Sequence, residues 1–155
     1  VLRRAAAHEG AALVEIYQNC NIFNDGAWEP LKDNDTRDDT LIRLSDGEPI
    51  RFGRDGEKGV ARLADGHLKV VDVAEVGEDA ILRHDSTAKD PGLAFALSRL
   101  ANPRTLTNTP IGVFRDISRP SYDRLVREQL AEVVAAKGSG DLQSLLTGGD
   151  TWTVA

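Results

Sequence analysis

The residue with the most chemical range in this sequence is its single cysteine, Cys20, which stands among amide side chains in Gln18-Asn19-Cys20-Asn21-Ile22-Phe23-Asn24-Asp25-Gly26. A thiolate serves equally as nucleophile and as metal ligand. In most proteins a lone cysteine is simply a small buried hydrophobe. Asn19, Asn21 and Asn24 favour the functional reading, because they place amide groups around the sulfur where a core thiol would have apolar neighbours. A nucleophilic cysteine wants a base, and His8 lies a strand's length away, at the other end of the strand expected to lead into Cys20. One cysteine cannot by itself supply a tetrahedral zinc site, and iron–sulfur ligation needs further cysteines from outside this chain.

Other polar clusters carry less. Asp33-Asn34-Asp35-Thr36-Arg37-Asp38-Asp39 begins like a calcium loop, but Arg37 sits at the fifth position, Asp38 replaces the turn glycine and Leu44 stands where a bidentate Glu belongs. It reads as a solvated acidic loop. Asn34-Asp35-Thr36 matches the glycosylation pattern by chance, since no secretory context accompanies it. Gly53, Gly56 and Gly59 lack the spacing and the following helix of a phosphate cradle, and read as β-turns. His67 follows a hairpin turn; His84, in Arg83-His84-Asp85-Ser86-Thr87, is a candidate polar site or switch, with a surface histidine bonded to Asp85 as the plainer account. His84, Asp85 and Ser86 are no triad, because sequence neighbours do not place a base between its partners.

The elements that must position Cys20 follow from patterning. Leu2 to Gly10 reads as the last turns of a helix with a glycine stop, and Ala11 to Gln18 as a parallel-sheet strand, so the Cys20 loop is expected at the carboxyl end of a strand, where open α/β sheets bind ligands. Leu31 to Thr40 reads as a solvated connection. From Leu41 to Val73 short runs alternate with turns, and Asp65-Gly66 is a strong hairpin signal. Pro91 to Leu100 predicts a helix, Thr109 to Asp116 a strand, Pro120 to Lys137 the clearest helix of the chain, and Asp141 to Leu146 a short one. The fold class expected is α/β: a last helix–strand unit followed by a mixed α+β region.

Composition sets the class. The chain has 155 residues, 19 Lys+Arg against 25 Asp+Glu and 41% hydrophobic residues, enough for one ordinary core and too acidic, without any basic cluster, to grip a nucleic-acid backbone. No apolar run approaches the roughly 20 residues of a bilayer crossing. One cysteine excludes an internal disulfide framework and points to a reducing, cytoplasmic compartment. The sequence starts at Val1 and contains no Met, so a piece of a longer protein is expected.

The string from Ala12 to Trp28, with Gln18-Asn19-Cys20-Asn21-Ile22-Phe23-Asn24 as its specific core, resembles the segment that closes the thiamine-diphosphate-binding domain in the β subunit of 2-oxoacid:ferredoxin oxidoreductases, most closely the 2-oxoglutarate type. Three later stretches resemble the C-terminal region of the same polypeptide: His84-Asp85, Pro91 to Leu100, and Thr109 to Arg115 with Arg119-Pro120 and Tyr122-Asp123. The resemblance implies that residues 1–30 are the C-terminal edge of the thiamine-diphosphate domain and residues 31–155 the C-terminal domain of the β subunit. It implies oxidative decarboxylation of a 2-oxoacid to an acyl-CoA, with electrons passed through a [4Fe–4S] cluster to ferredoxin, in a complex with an α subunit. Cys20 matches the last of four cluster ligands, and Asn21 and Asn24 are its expected amide neighbours. The other three cysteines, and the Gly-Asp-Gly and Asn motif that holds Mg2+ and the diphosphate, lie upstream in that family and are absent here. The isolated chain is therefore expected to bind neither cofactor. Two other readings stand beside this one. One is a non-catalytic docking or assembly module using the apolar face from Tyr122 to Val134; the other, a free-standing cysteine hydrolase, lacks a paired base.

Overall fold

The computed structural model describes residues 1–149, Trp152 and Val154; positions 150, 151, 153 and 155 of the expected 31–155 region lie outside the described residues. The chain forms two compact units, one of Val1–His8 with Ala12–Ser118 and one of Glu9–Ala11 with Arg119–Ala155.

The larger unit mixes helices and strands, the α/β class expected. Helix α1 (Leu2–Ala7) opens it, and no residue of α1 is buried. Two single turns follow, α2 (Glu29–Lys32), with Pro30 in its first turn, and α3 (Arg37–Thr40). Between them Asp33 to Asp38 are exposed, and the Asp35 N–H donates to Asp33 Oδ1 at 2.8 Å, a local turn of the solvated kind the sequence suggests. Both flanks are anchored: Leu31 and Thr40 are buried.

Strand β1 (Leu41–Leu44) lies apart in sequence from its partner. Then β2 (Arg51–Phe52), β3 (Lys58–Arg62) and β4 (Leu68–Asp72) form an antiparallel meander. Its tightest corner is the Asp65-Gly66 turn, where Gly66 takes φ +87° and the His67 N–H donates to Asp65 Oδ1 at 2.9 Å. Gly53 and Gly56 do sit in turns, but Gly59 lies inside β3, where an added Cβ would meet Ile81 Cδ1 at 2.6 Å. Helix α4 (Val73–Val76), a 3₁₀ turn (Glu78–Ala80), α5 (Gly92–Ser98) and β5 (Thr109–Gly112) complete the unit. β5 runs parallel to β1, with Leu41 opposite Thr109 and Leu44 opposite Gly112. It is an edge strand, which accommodates Pro110 and its missing N–H.

The core gathers Ile42, Ile50, Phe52, Val60 and Leu97, with Leu44, Leu93 and Phe114 packed against it. Fully burying side chains of this size contributes about 1.5–3 kcal/mol each. The single apolar residue that α5 buries completely, Leu97, comes from the amphipathic spacing of Leu93, Leu97 and Leu100.

Two expectations are corrected. The strand read over Ala11 to Gln18 is absent: the stretch is irregular, and among the described residues no strand pairs with it. A strand exists only through its neighbours. Here Leu13 is 89% exposed and Ile16 70%, so the side chains that a parallel sheet would bury face solvent. Nor is His84 a surface residue bonded to Asp85. It is buried, its Nε2 donates to the Val113 carbonyl at 2.8 Å, and Asp85 instead accepts from the Thr87 N–H and hydroxyl.

The smaller unit holds α6 (Tyr122–Lys137) and α7 (Leu142–Leu146). Ser121 caps α6 by accepting from the Arg124 N–H, Arg124 pairs with Glu128 one turn on, and Gly138 ends the helix at φ +78°. Asp141 caps α7 through the Ser144 N–H at 2.7 Å. Among the described residues no helix is long and apolar enough to cross a membrane.

Candidate functional site: the Cys20 loop

Cys20 stands at the start of a turn that closes on itself. The Asn24 N–H donates to the Cys20 carbonyl at 2.9 Å, and the two residues form an isolated antiparallel bridge. The backbone amides of Phe23 and Ile22, with a smaller contribution from Asn24, favour the thiolate and lower the Cys20 thiol below its ordinary pKa. Cys20 is half-buried, while Ile22 and Phe23 at the tip are 84% and 88% exposed. A half-open sulfur with its thiolate form favoured suits a metal ligand or nucleophile better than a core thiol.

The asparagines divide their labour differently from the expectation. Asn19 is the hub: its Nδ2 donates to Asn21 Oδ1 at 2.9 Å and Asp25 Oδ1 at 2.8 Å, and its Oδ1 accepts from the Gly26 N–H at 2.9 Å. Asn21 enters as acceptor for Asn19, and Asn24 takes part through its backbone; both side chains are exposed. Outside the turn, Tyr17 stacks on Trp28 with ring centroids 4.5 Å apart and planes 7° from parallel, and the Trp28 indole N–H donates to the Gln18 carbonyl at 2.8 Å. These contacts fix the two ends of the loop against each other.

His8 is not a base for Cys20. Its Nδ1 lies 2.9 Å from Asp116 Oδ1, within a second polar cluster that fastens α1. There Arg4 donates to Asp116, to Asp46 at 2.8 Å and to the Ser86 hydroxyl at 2.8 Å, while Asp46 Oδ1 accepts the Ser86 N–H at 2.8 Å. The Arg4 guanidinium, helped by Ser86, lowers the Asp46 pKa to about 2, and Arg4 then His8 lower that of Asp116. Buried His84 adjoins this cluster, with Nε2 3.8 Å from Asp46 and no partner for Nδ1 among the described residues. Sequence reasoning misses both the Asn19 hub and the Arg4 cluster. The first has a signal, the crowding of small polar residues between Gln18 and Gly26; the second joins residues up to 112 positions apart and has none.

Among the described residues no three His, Cys, Asp or Glu side chains gather as a metal site. This chain brings one thiolate to any cluster, in an environment that fits one.

No family model and no solved structure matches the chain. It is 49% identical over 156 residues to 2-oxoglutarate oxidoreductase subunit KorB of Mycobacterium tuberculosis, an alignment that takes in 99% of this chain and 41% of that relative. At that level of identity, along nearly every residue, the resemblance read from Ala12 to Trp28 and the later stretches is upheld as similarity to KorB, of whose length the chain spans 41%.

Proposed function

We propose that the chain is the C-terminal portion of the β subunit of a 2-oxoglutarate:ferredoxin oxidoreductase, working in the cytoplasm with an α subunit, and that Cys20 supplies one ligand to a [4Fe–4S] cluster. The observation that carries the proposal is the 49% identity to KorB along 99% of the chain. When bound, thiamine diphosphate with Mg2+ supplies the decarboxylating chemistry on the 2-oxoacid, coenzyme A takes the acyl group, and the cluster takes the electrons on to ferredoxin.

What this chain does in that scheme is local. Cys20 offers a thiol whose ionised form the neighbouring Phe23 and Ile22 amides favour. Those amides, with Asn24 through its backbone and Asn21 through its bond to Asn19, form the polar wall near the ligand sulfur, where N–H donors tune a cluster's potential. Residues 1–30 stand as the edge of the thiamine-diphosphate domain, and the exposed Leu13, Ile16, Ile22 and Phe23 are the apolar side chains that the remainder of the intact polypeptide covers. Residues 31–155 form its C-terminal domain.

A second reading, a non-catalytic docking module, has its own support in α6, where Leu125, Leu130, Val133 and Val134 are all about half exposed or more. Anaerobic purification of the full-length β subunit with its partner, as wild type and Cys20→Ala, separates the two. Loss of the paramagnetic cluster signal and of 2-oxoglutarate-dependent dye reduction in Cys20→Ala is the expected result. An unchanged cluster with full turnover removes Cys20 from the ligand set and leaves the docking module ahead.

A further inference from the structure

We propose that the larger unit carries a preformed guanidinium socket, walled by Asp46, Ser86 and Asp116, and that helix α1 docks in it through Arg4 as a tethered, detachable ligand. Two of the walls stand just beyond the carboxyl ends of the parallel strands, Asp46 shortly after Leu44 of β1 and Asp116 shortly after Gly112 of β5. Each guanidinium nitrogen meets a different wall: Nε donates to Asp116 Oδ2, Nη1 to Asp46 Oδ2 at 2.8 Å and Nη2 to the Ser86 hydroxyl at 2.8 Å. The second oxygen of each carboxylate is engaged elsewhere, Asp46 Oδ1 by the Ser86 N–H and Asp116 Oδ1 by His8, so one oxygen of each is left for the guanidinium. A lysine ammonium, a point charge without the planar fork, does not span three such walls.

The walls are wired to one another without help from α1. The Gly47 N–H donates to the His84 carbonyl at 2.8 Å, the His84 N–H to the Glu48 carbonyl at 3.0 Å, and the Asp116 N–H to the Ser86 carbonyl at 2.7 Å. The His84 ring adds its bond to the Val113 carbonyl, which ties the chain leaving β5 to the same frame. Ser86 is fully buried and His84 is 2% exposed, so the back of the socket belongs to the interior. Helix α1, by contrast, buries no residue, and the Arg4, Asp46 and Asp116 side chains are 41%, 42% and 24% exposed. A helix that withdraws no apolar side chain from water is held by what its polar side chains grip, here Arg4 and His8. Charge pairs this open are weakened by salt and solvent, so the docked position is one that α1 can leave while the socket keeps its shape. Because α1 leads into the stretch that ends at Cys20, the Arg4 tie sets where on the larger unit that stretch begins. The inference holds whatever chemistry Cys20 performs.

The test uses methylguanidinium, an untethered copy of the Arg4 head group, on the 155-residue chain. In Arg4→Ala the NMR signals of the Ser86 and Asp116 amides are expected to shift saturably with methylguanidinium. The midpoint is expected about tenfold or more below that for methylammonium, the discrimination that follows when a fork of charge-assisted hydrogen bonds gives way to a point charge. The wild-type chain, whose socket is filled, and Arg4→Ala combined with Asp46→Asn are expected to show no saturable shift over the same range. A second measurement needs no variant: in the wild-type chain the Arg4 guanidinium protons are expected as resolved, slowly exchanging signals, distinct from those of the exposed neighbour Arg3. No saturable shift in Arg4→Ala, an equal response to methylammonium, or Arg4 protons averaged like those of Arg3 overturns the socket. A wild-type chain that responds to methylguanidinium as Arg4→Ala does leaves Arg4 outside the socket and overturns the docking of α1.

Discussion

The Ile42–Val60 core and the Cys20 loop are built on opposite terms. In the core, Ile42, Ile50 and Val60 are almost wholly buried and the polar groups serve the ladders: Val60 N–H donates to Ile50, Leu82 N–H to Val60 and Ile50 N–H to Leu82. In the loop the arrangement is inverted, for the carboxamide of Asn19 holds the turn from within while Ile22 and Phe23 lie outside. One region draws its stability from apolar area removed from water; the other has shape without that support. The difference teaches that the loop's fold is set by polar contacts between near neighbours and not by packing.

The sharpest way to test the contrast is to remove volume from the core. Ile50→Ala, at a site 1% exposed, is expected to lower unfolding free energy by about 2–5 kcal/mol, read from urea denaturation of the chain. A loss much below that range would mean that the core is not what holds the larger unit together.

A middle effect is expected at the Arg4 cluster, which fastens an α1 that buries nothing. The Asp46 carboxyl, at about 2 against an ordinary 3.8, binds its proton less readily folded than unfolded. Its contribution is therefore full above about pH 4 and is lost as pH falls toward 2. Asp46→Asn should flatten that part of the acid limb in a plot of urea midpoint against pH, and an unaltered limb would show that Asp46 does not fasten α1. Because Asp46 is 42% exposed, solvent and salt screen this effect below that of the core substitution.

The smallest effect belongs at the loop tip. In the 155-residue chain, Phe23→Ser is expected to leave unfolding free energy within about 0.5 kcal/mol of wild type, since the ring there is already in water. A loss of several kcal/mol would place Phe23 in a packed environment and erase the contrast between the two regions.

What is legible in the sequence is what neighbours in the chain decide. The Asp65-Gly66 hairpin, the Pro91 start of α5 and the Gly138 stop of α6 each depend on residues a few positions apart. The crowded polar stretch around Cys20 is readable as a structured loop, but not that Asn19 is its hub, because several amides compete for the same donors. Burial of His84 depends on Val113, 29 residues later, and the Ala11 to Gln18 run has the composition of a strand without the neighbour that would make it one. Local chemistry writes turns and caps into sequence; pairing across the fold leaves no such trace.

The parallel pairing of β1 with β5 has a consequence for how the chain is made. Leu41 waits for Thr109, 109 − 41 = 68 residues later, whereas β3 and β4 meet across a tight turn. At about 5–20 residues per second of synthesis, β1 emerges roughly 3–14 s before its partner exists. For that interval the nascent chain carries the apolar edge of Leu41 and Ile42 unpaired, and the charged, exposed Arg43 in the middle of the strand is the feature that discourages another chain from pairing there first.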